Sequence, residues 1–522
     1  MRWARIALAL ALASALGTGA ARAAPPAPRR PALVVVVVVD QLARPRLDRS
    51  LPGGLGRLLR EGRVFADATL VHGITETCPG HAAVSTGLQP GRAGVPGNVV
   101  FDRGHPRYCV AGGTAELLRA DALADWIRVA GGRAVAISEK DRAALMLAGR
   151  GGGLAIWLDP EKGFVANRPP GGDWLERFDA ARGLAPFDAA RFPAAWAHRA
   201  DDPRALPDDT PGESGRWSRT TPHPVRAQTL PATVEQLLRT PLADALTLDL
   251  VRAAVEGLGL GRGTAPDLLA VSLSATDHIG HAYGPDSQEA LAALLALDAQ
   301  VGELLRFLEA RVPRDRLVVA LTADHGVTPL PEVSEALGVS ECRVPGSRVA
   351  GRAVKARIAG LAREACGLAA DPEVGWDGSS AFALGAEVWE ACRLPRAEAA
   401  AAVAARLEAE PGVVKAWTAT DLEGPRCAGA CALYRASFDP ERSGDWVIQL
   451  DPHCLLSSEQ EGTGHGSPYA YDRAVPVVFW GGGVAAGTVR GPAHSVDVAP
   501  TLAARAGVAP PAPVDGKVLP LR

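Results

Sequence analysis

Methionine is rare in this sequence, with two in 522 residues, and lysine is scarce as well. The formal net charge is −3, and no run of Lys and Arg is long enough to act as a basic arm. The charge balance therefore gives no electrostatic case for nucleic-acid binding. Beyond residue 16, no apolar run reaches the roughly 20 residues that a membrane-spanning helix needs. No internal repeat or low-complexity tract is present, so a repeat architecture is not expected.

The N-terminus has the pattern of a secretory signal peptide. Arg2 and Arg5 precede a short apolar run over residues 6–16, and small residues follow at Ala21 and Ala23. We expect residues 1–24 to be removed and the protein to be periplasmic or secreted. A membrane anchor is the alternative, but the apolar run is too short for one. No cysteine precedes Cys78, which excludes a lipoprotein anchor at the cut site.

Eight cysteines in an exported chain indicate disulfide bonds, and their connectivity is open at this point. They are Cys78, Cys109, Cys342, Cys366, Cys392, Cys427, Cys431 and Cys454. Cys427 and Cys431 are close enough to close a local loop. A zinc ribbon is not favoured because there is no second closely spaced pair.

Apolar runs alternate with helical patterns along most of the chain, which is typical of a doubly wound α/β fold. Strands are expected at 33–39, 134–137, 267–273, 317–322 and 475–480, and a long amphipathic helix at 287–310. We predict a mostly parallel central sheet with helices on both faces. Residues 25–522 would form one catalytic domain, with smaller α+β insertions at about 154–240 and about 331–445.

The segment 75–87 reads as a loop that turns at Pro79-Gly80 and then begins a helix of small residues. The hydroxyl of Thr77 would then lie beside a helix N-terminus, where free N–H groups and the helix dipole suit a phosphate. Taken alone, a plain helix cap is the commoner use of a Thr in this position.

Acidic and imidazole side chains follow several of the predicted strands. Asp40, Asp277 and Asp324 each come after a strand, His281 lies one helical turn beyond Asp277, and His325 adjoins Asp324. His465 lies in a Gly-rich loop near the C-terminus. Capping carboxylates and surface histidines are the alternatives, but six mixed N/O ligands suit two Zn²⁺ ions. Two metals about 4 Å apart form a clamp for in-line displacement at phosphorus.

Three further polar residues could contact an anionic oxygen. Asn98 lies in a Gly/Pro-rich loop, where a lone Asn is usually a turn residue. Lys140 and Arg142 follow the strand at 134–137, and on an extended segment they would point the same way. Two cations on one side can bind phosphoryl oxygens, and a solvated charge cluster is the alternative.

These motifs, in this order, resemble the alkaline phosphatase superfamily. The Thr77 motif and the Lys140-Asp141-Arg142 pattern are similar to its phosphate-irrepressible, PafA-type branch. The resemblance implies that Thr77 is a nucleophile that becomes phosphothreonine. It implies one zinc held by Asp40, Thr77, Asp324 and His325, and a second held by Asp277, His281 and His465. It also implies that Asn98, Lys140 and Arg142 hold the non-bridging phosphoryl oxygens.

The expected function is that of an exported zinc phosphomonoesterase acting on small phosphate monoesters. A nucleotide phosphodiesterase or pyrophosphatase on the same core is the main alternative, although those relatives are not expected to carry the Lys-x-Arg pair. Cys78 invites a sulfatase-like reading, but the Cys-x-Pro-x-Arg pattern is not matched. A non-catalytic metal- or phosphate-binding protein is a third possibility, and export disfavours a phosphomutase. The oligomeric state is open, with a monomer as the working expectation.

Overall fold

The computed structural model describes residues 29–110, 113–226 and 228–522. The predicted signal peptide, residues 1–24, lies outside the described residues. The strands are β1 (Leu33–Val39), β2 (Arg63–Phe65), β3 (Val99–Asp102), β4 (His105–Tyr108), β5 (Ala134–Ser138), β6 (Leu154–Asp159), β7 (Gly163–Ala166), β8 (Ala195–Trp196), β9 (His223–Pro224), β10 (Asp267–Leu273), β11 (Leu317–Thr322), β12 (Arg348–Ala350), β13 (Val374–Trp376), β14 (Ala381–Leu384), β15 (Val413–Trp417), β16 (Trp446–Leu450), β17 (Leu455–Ser457), β18 (Val477–Gly481) and β19 (Gly487–Val489).

The helices separate most of these strands. They are α1 (Gly54–Glu61), α2 (Thr77–Thr86), α3 (Pro90–Ala93), α4 (Leu123–Val129), α5 (Asp141–Ala148), α6 (Trp174–Arg182), α7 (Leu230–Leu237), α8 (Leu242–Leu258), α9 (Ala275–Tyr283), α10 (Gln288–Glu309), α11 (Pro331–Ala336), α12 (Gly351–Cys366), α13 (Ala386–Ala391), α14 (Arg396–Leu407), α15 (Ala419–Glu423), α16 (Ala430–Ser437), α17 (Ala470–Arg473) and α18 (Val498–Ala506). No helix within the described ranges is long and apolar enough to cross a bilayer.

Nine strands form the central sheet, in the order β19-β2-β18-β11-β1-β10-β5-β6-β7. The five strands from β11 to β6 are parallel, and β18 and β7 are antiparallel to their neighbours. Val39 at the end of β1 lies opposite Leu273 at the end of β10, and Val38 opposite Thr322 of β11. The carboxyl ends of three neighbouring strands therefore meet at one edge of the sheet, where α/β proteins bind ligands.

The apolar run of β1 explains why the sheet is covered on both faces. Successive side chains of a strand point to opposite faces, and all seven residues of β1 are buried. Val35, Val37 and Val39 belong to one core cluster, which includes buried residues of α1, α8 and α10. Val34, Val36 and Val38 belong to a second, which includes residues of α2, α4, α5 and α18. The predicted doubly wound fold is confirmed.

The two regions predicted as insertions differ in how they relate to the central sheet. The first begins with β6 and β7, which are part of that sheet, so the proposed insertion starts after Ala166. Its short strands β8 and β9 pair with each other. The second builds a four-stranded sheet, β13-β14-β16-β15, with its own core against α12 and α14. Because β16 ends at Leu450, this unit extends past residue 445.

All eight cysteines are paired. The bonds are Cys78–Cys109, Cys342–Cys454, Cys366–Cys392 and Cys427–Cys431. The local pair expected at 427 and 431 is therefore present. No cysteine is left as a free thiol.

Candidate active site

Three predicted ligands meet at the buried edge of the central sheet, and we call Asp40, Asp324 and His325 the inner group. Asp40 follows β1 and Asp324 follows the neighbouring β11, so sheet register alone brings them together. Nε2 of His325 lies 3.3 Å from Oδ1 of Asp40 and 3.5 Å from Oδ2 of Asp324. All three side chains have no exposed surface. Oδ1 of Asp40, Oδ2 of Asp324 and Nε2 of His325 have no hydrogen-bond partner among the described residues.

Three more of the predicted ligands, Asp277, His281 and His465, form an outer group. Asp277 and His281 lie one turn apart on α9, as the spacing predicts, and Nε2 of His281 is 3.2 Å from Oδ1 of Asp277. His465 comes from the Gly-rich loop, and its Nε2 is 3.7 Å from the same oxygen. The His281 side chain is 39% exposed and the His465 side chain 10%. The outer group therefore opens towards solvent, unlike the inner one.

The donor set of both groups fits zinc. Ligand atoms at roughly 2.0–2.2 Å from a tetrahedral ion lie about 3.3 Å apart, which is close to the separations seen here. Each histidine also has its Nδ1 against a backbone carbonyl: His281 on Thr463, His465 on Thr75 and His325 on Gly326. A carbonyl only accepts, so Nδ1 carries the proton and Nε2 is left to bind a cation.

The charges in this region also favour a cation. Burial, with repulsion from Asp277 and Asp324, raises the pKa of Asp40 to about 6. Burial opposes protonation of His325, but Asp324 and Asp40 outweigh it and raise its pKa. The pKa of His281 is raised in the same way: burial opposes it and Asp277 outweighs the burial. Three carboxylates this close together need compensating positive charge.

Lys140 joins the two groups. Its Nζ donates to Oδ2 of Asp40 at 2.6 Å and to Oδ2 of Asp277 at 2.5 Å. The expected extended segment is wrong beyond this residue: Lys140 is the extended N-cap of α5, and Arg142 lies in its first turn. Arg142 still faces the site, because it lines the same cavity as the outer group and Asp40 and Asp277 attract its charge.

Thr77 is the first residue of α2, and every residue of that helix is buried. The predicted turn at Pro79-Gly80 is wrong, because both residues belong to the first turn of the helix. Proline is tolerated there, where its missing N–H would have no partner in any case. A Cβ on Gly80 would lie 2.4 Å from the carbonyl oxygen of Asp324. Gly80 thus lets the helix that carries Thr77 approach the inner group.

Two hydrogen bonds hold Asn98 in place. Its side-chain oxygen accepts a hydrogen bond from the N–H of Cys78 at 2.8 Å. Its own N–H donates to Oε2 of Glu76 at 2.7 Å. Because Cys78 is bonded to Cys109, it cannot supply a thiolate beside Thr77.

A cavity of about 340 Å³ collects most of the predicted functional side chains. Thr77, Asn98 and Arg142 line it together with all three members of the outer group. Its outer wall comes from residues 377–379 and 455–459, beside the four-stranded sheet. The volume is at the small end of ligand pockets in proteins. The cavity therefore suits a small ligand that reaches the outer group before the inner one.

Several contacts at the site are not predicted by any sequence motif. Gln41 links the two groups: its side-chain amide donates to Oδ1 of Asp277 at 2.8 Å, and its N–H to Oδ1 of Asp324 at 3.2 Å. A Cβ on Gly280 would lie 1.8 Å from the Gln41 amide oxygen. The glycine within α9 is therefore the sequence feature that could have indicated this close contact. Tyr108 accepts a hydrogen bond from Nη1 of Arg142 at 2.9 Å.

No sequence motif predicts the contacts of His81 either. It lies in α2, one turn after Thr77, and its Nδ1 is 2.9 Å from the Thr77 carbonyl. Its Nε2 is 2.8 Å from Oγ of Ser272, and Nδ1 is also 3.3 Å from Oδ2 of Asp324. His81 therefore positions the start of α2 against the inner group.

Comparison with known proteins identifies the family. The model of the type I phosphodiesterase/nucleotide pyrophosphatase family matches residues 34–342, more than half of the chain. Alkaline phosphatase PhoK of Sphingomonas sp is 30% identical over 531 residues, covering 94% of this chain and 91% of that protein.

Two solved structures share the fold. Wild type alkaline phosphatase PafA has a TM-score of 0.84 at 24% identity, covering 95% of this chain and 99% of its own. Murine ectonucleotide pyrophosphatase/phosphodiesterase 5 has a TM-score of 0.53 at 14% identity, covering 93% and 97%. The predicted resemblance is confirmed. The chain is an enzyme of the alkaline phosphatase superfamily and belongs to the type I phosphodiesterase/nucleotide pyrophosphatase family.

Proposed function

We propose that this enzyme is an exported phosphomonoesterase that uses two zinc ions and a phosphothreonine intermediate. The observation that carries the proposal is the meeting of Thr77, Asn98, Arg142 and the outer group in one cavity. The 30% identity with an alkaline phosphatase supports hydrolysis of phosphate esters. The four disulfides support export, because such bonds persist in oxidising compartments.

In the proposed first step, the hydroxyl oxygen of Thr77 attacks phosphorus. A P–O bond to threonine forms as the P–O bond to the leaving group breaks, and the proton lost by the Thr77 hydroxyl passes through solvent to the leaving oxygen, which departs as the alcohol. Zinc ions held by the inner and outer groups would supply positive charge for deprotonating the hydroxyl and for the leaving oxygen. The N-terminus of α2 adds N–H groups and the positive end of a helix dipole beside the phosphoryl group.

Asn98 and Arg142 are proposed to orient the phosphoryl group. The side-chain oxygen of Asn98 is engaged by Cys78, so its NH₂ is free to donate to a non-bridging oxygen. Arg142 is held by Tyr108 and offers its remaining N–H groups to the same group. A monoester dianion carries one more negative charge than a diester, so cations aimed at its free oxygens favour monoesters. Lys140 would join them once zinc takes over neutralising Asp40 and Asp277.

In the second step, water attacks the phosphothreonine. A new P–O bond to the water oxygen forms as the P–O bond to Thr77 breaks. The proton released by the water returns to the threonine oxygen, and inorganic phosphate leaves. The side chain of His281 is 39% exposed, so we expect water to reach the outer group from this side. The natural alcohol is not specified by the cavity, whose walls offer Ser379 and Ser457–Glu459 for its recognition.

A nucleotide phosphodiesterase or pyrophosphatase is the second candidate, because the matching family model carries that description. It shares the two metal-ligand groups, Thr77 and Asn98 with the first. The two candidates differ in what Lys140 and Arg142 do. In a diesterase they would have no dianion to bind.

The test is hydrolysis of p-nitrophenyl phosphate against bis-p-nitrophenyl phosphate, with zinc present and after chelation. We expect a strong preference for the monoester that is lost with the metal and regained when zinc is added back. Preference for the diester would move the assignment to the second candidate. Activity that survives complete removal of metal would overturn the role given to both ligand groups.

A further inference from the structure

A third group of metal-ligand side chains lies away from the cavity. It consists of His198 and His223 from the first insertion and Glu289 from the first turn of α10. Nε2 of His198 and Nε2 of His223 are 3.2 Å apart. Oε1 of Glu289 is 3.4 Å from the first and 3.1 Å from the second. The three side chains are 2%, 5% and 0% exposed.

These separations match a tetrahedral metal site. Nitrogen and oxygen ligands about 2.0–2.1 Å from zinc lie about 3.3 Å from one another, which falls inside the range of 3.1–3.4 Å seen here. The inner and outer groups have comparable spacings, 3.2–3.7 Å. The third group is thus at least as well formed as the two assigned to catalysis.

The far side of each ring is held as metal-binding histidines are held. Nδ1 of His198 lies 3.2 Å from the carbonyl of Arg199, which only accepts, so the proton sits on Nδ1. Nδ1 of His223 lies 3.2 Å from the hydroxyl of Tyr283. Trp196 packs against both imidazoles, with ring centroids 4.9 and 5.2 Å away. Both Nε2 atoms are therefore aimed at Glu289 in a fixed geometry.

Unpaired buried acceptors surround the group. Neither carboxylate oxygen of Glu289 accepts a hydrogen bond of good geometry within the described residues, although both imidazoles lie within 3.4 Å of Oε1. Oδ1 of Asp208 and Oε1 of Glu213 are likewise without one, and the charges of Glu213 and Glu289 repel each other. Buried carboxylates without donors are costly unless a cation compensates them. A hydrogen-bonded His–His–Glu triad would still leave the second oxygen of Glu289 unpaired.

We propose that His198, His223 and Glu289 bind a third zinc ion, with the remaining position taken by Asp208, Glu213 or water. His and carboxylate ligands in tetrahedral spacing favour zinc over Mg²⁺ or Ca²⁺. The site is structural, since its ligands are buried and none of them lines the cavity.

The site joins the first insertion to the helices behind the outer group. His223 lies in β9, which pairs with β8, while Glu289 lies in the first turn of α10, the helix that follows α9. Nearby, the N–H of Ser214 donates to the carbonyl of Ala282 at 2.8 Å, and that of Gly462 to Gly212 at 2.7 Å. A zinc ion here fastens the insertion against α9 and the loop that leads to His465.

The test is the zinc content of the full-length enzyme after equilibration with Zn²⁺ and desalting, measured by elemental analysis. We expect about three zinc ions per chain in the wild type and about two in His223→Ala and in Glu289→Gln. His105→Ala is the matched control, because that histidine is exposed, and it should keep the wild-type content. In both ligand variants, added zinc should also raise the melting temperature less than it does in the wild type.

Two zinc ions in the wild type and in both variants would overturn the proposal. Glu289→Gln preserves shape, so it answers the question even where His223→Ala does not fold. Zinc-edge anomalous diffraction from wild-type crystals gives a direct second readout. A peak between His198, His223 and Glu289 supports the site, and no peak there, with peaks at the inner and outer groups, contradicts it.

Discussion

The inner and outer groups use the same kinds of ligand but are assembled in different ways. Asp40 and Asp324 follow two hydrogen-bonded strands, and the inner side chains have no exposed surface. The outer group takes two ligands from α9 and a third, His465, from a loop almost two hundred residues further along the chain. The inner group is set by sheet register, whereas the outer one forms only when that loop docks.

This difference predicts different behaviour towards metal. The docking depends on backbone carbonyls, with His281 donating to Thr463 and His465 to Thr75, each at 2.7 Å. The outer group also faces the cavity, so a chelator or a substrate reaches it directly. We expect its zinc to exchange faster than the zinc of the inner group.

The largest effect is expected at Thr77, which lines the cavity with the outer group while its helix contacts the inner one. Thr77→Ala removes the proposed nucleophile and should lower kcat for p-nitrophenyl phosphate by about a thousandfold or more. Steady-state kinetics on zinc-loaded enzyme measure this. Thr77→Ser, which keeps a hydroxyl, should retain far more activity. A near-normal rate for Thr77→Ala would rule out the covalent route.

Removing one ligand from each group compares them directly. His325→Ala and His281→Ala should each lose about one zinc ion and at least about a hundredfold in turnover. His325→Ala should also melt at a lower temperature, because it leaves a cavity and unpaired carboxylates in a fully buried site. Elemental analysis and thermal unfolding check both points. Equal melting temperatures would mean that burial does not distinguish the two groups.

Replacing Arg142 should change the preference for monoester over diester more than it changes the zinc content. Arg142→Ala removes a charge-assisted hydrogen bond, so kcat/KM for the monoester should fall about tenfold to a hundredfold, and less for the diester. Arg150→Ala is a matched control just beyond the same helix, where the arginine pairs with Asp121 at the surface. Equal losses on both esters would show that Arg142 does not bind the dianion.

The last prediction concerns the pH dependence of zinc binding. In metal-free protein, the pKa of Asp40 is raised to about 6 by burial and by Asp277 and Asp324, while the pKa of Asp277 is held well below its usual value. For Asp277, burial acts in the opposite direction, but His281 and Lys140 outweigh it. Zinc binding must therefore displace one more proton from the inner group than from the outer group.

Between about pH 5 and pH 6, zinc affinity should rise about a hundredfold at the inner group and about tenfold at the outer one. The inner group releases protons from Asp40 and His325, and the outer group from His281. Competition with a chromophoric chelator measures the two groups separately when Glu289→Gln is also present to remove the third site. His281→Ala then reports on the inner group and His325→Ala on the outer group. Identical slopes would contradict the different charge states of the two groups.

The sequence predicted the parts of the site that depend on strands. β1, β10 and β11 match their predicted bounds, because continuous β-branched and apolar runs are typical of strands buried on both faces. The Asp277–His281 spacing likewise needed only the period of a helix. Parallel strands end at one edge, so most of the ligand positions followed from the pattern.

Other features could not be predicted because they depend on contacts between distant segments. Gln41 adopts a φ of 67° and reaches both ligand groups, which no local pattern indicates. The start of α2 differs from the prediction because Pro-Gly is typical both of turns and of a first helical turn beside close-packed backbone. His198 and His223 lie in a region with little periodicity, and only the fold brings them to Glu289.

The central claim is that the inner group, the outer group and Thr77 form one phosphoryl-transfer centre. Zinc-edge anomalous diffraction from crystals of the enzyme with inorganic phosphate tests it most directly. The account predicts a zinc peak in each group, with phosphate in the cavity against Asn98 and Arg142 and Thr77 Oγ facing phosphorus. Phosphate bound elsewhere, or a cavity with no zinc in the outer group, would contradict it.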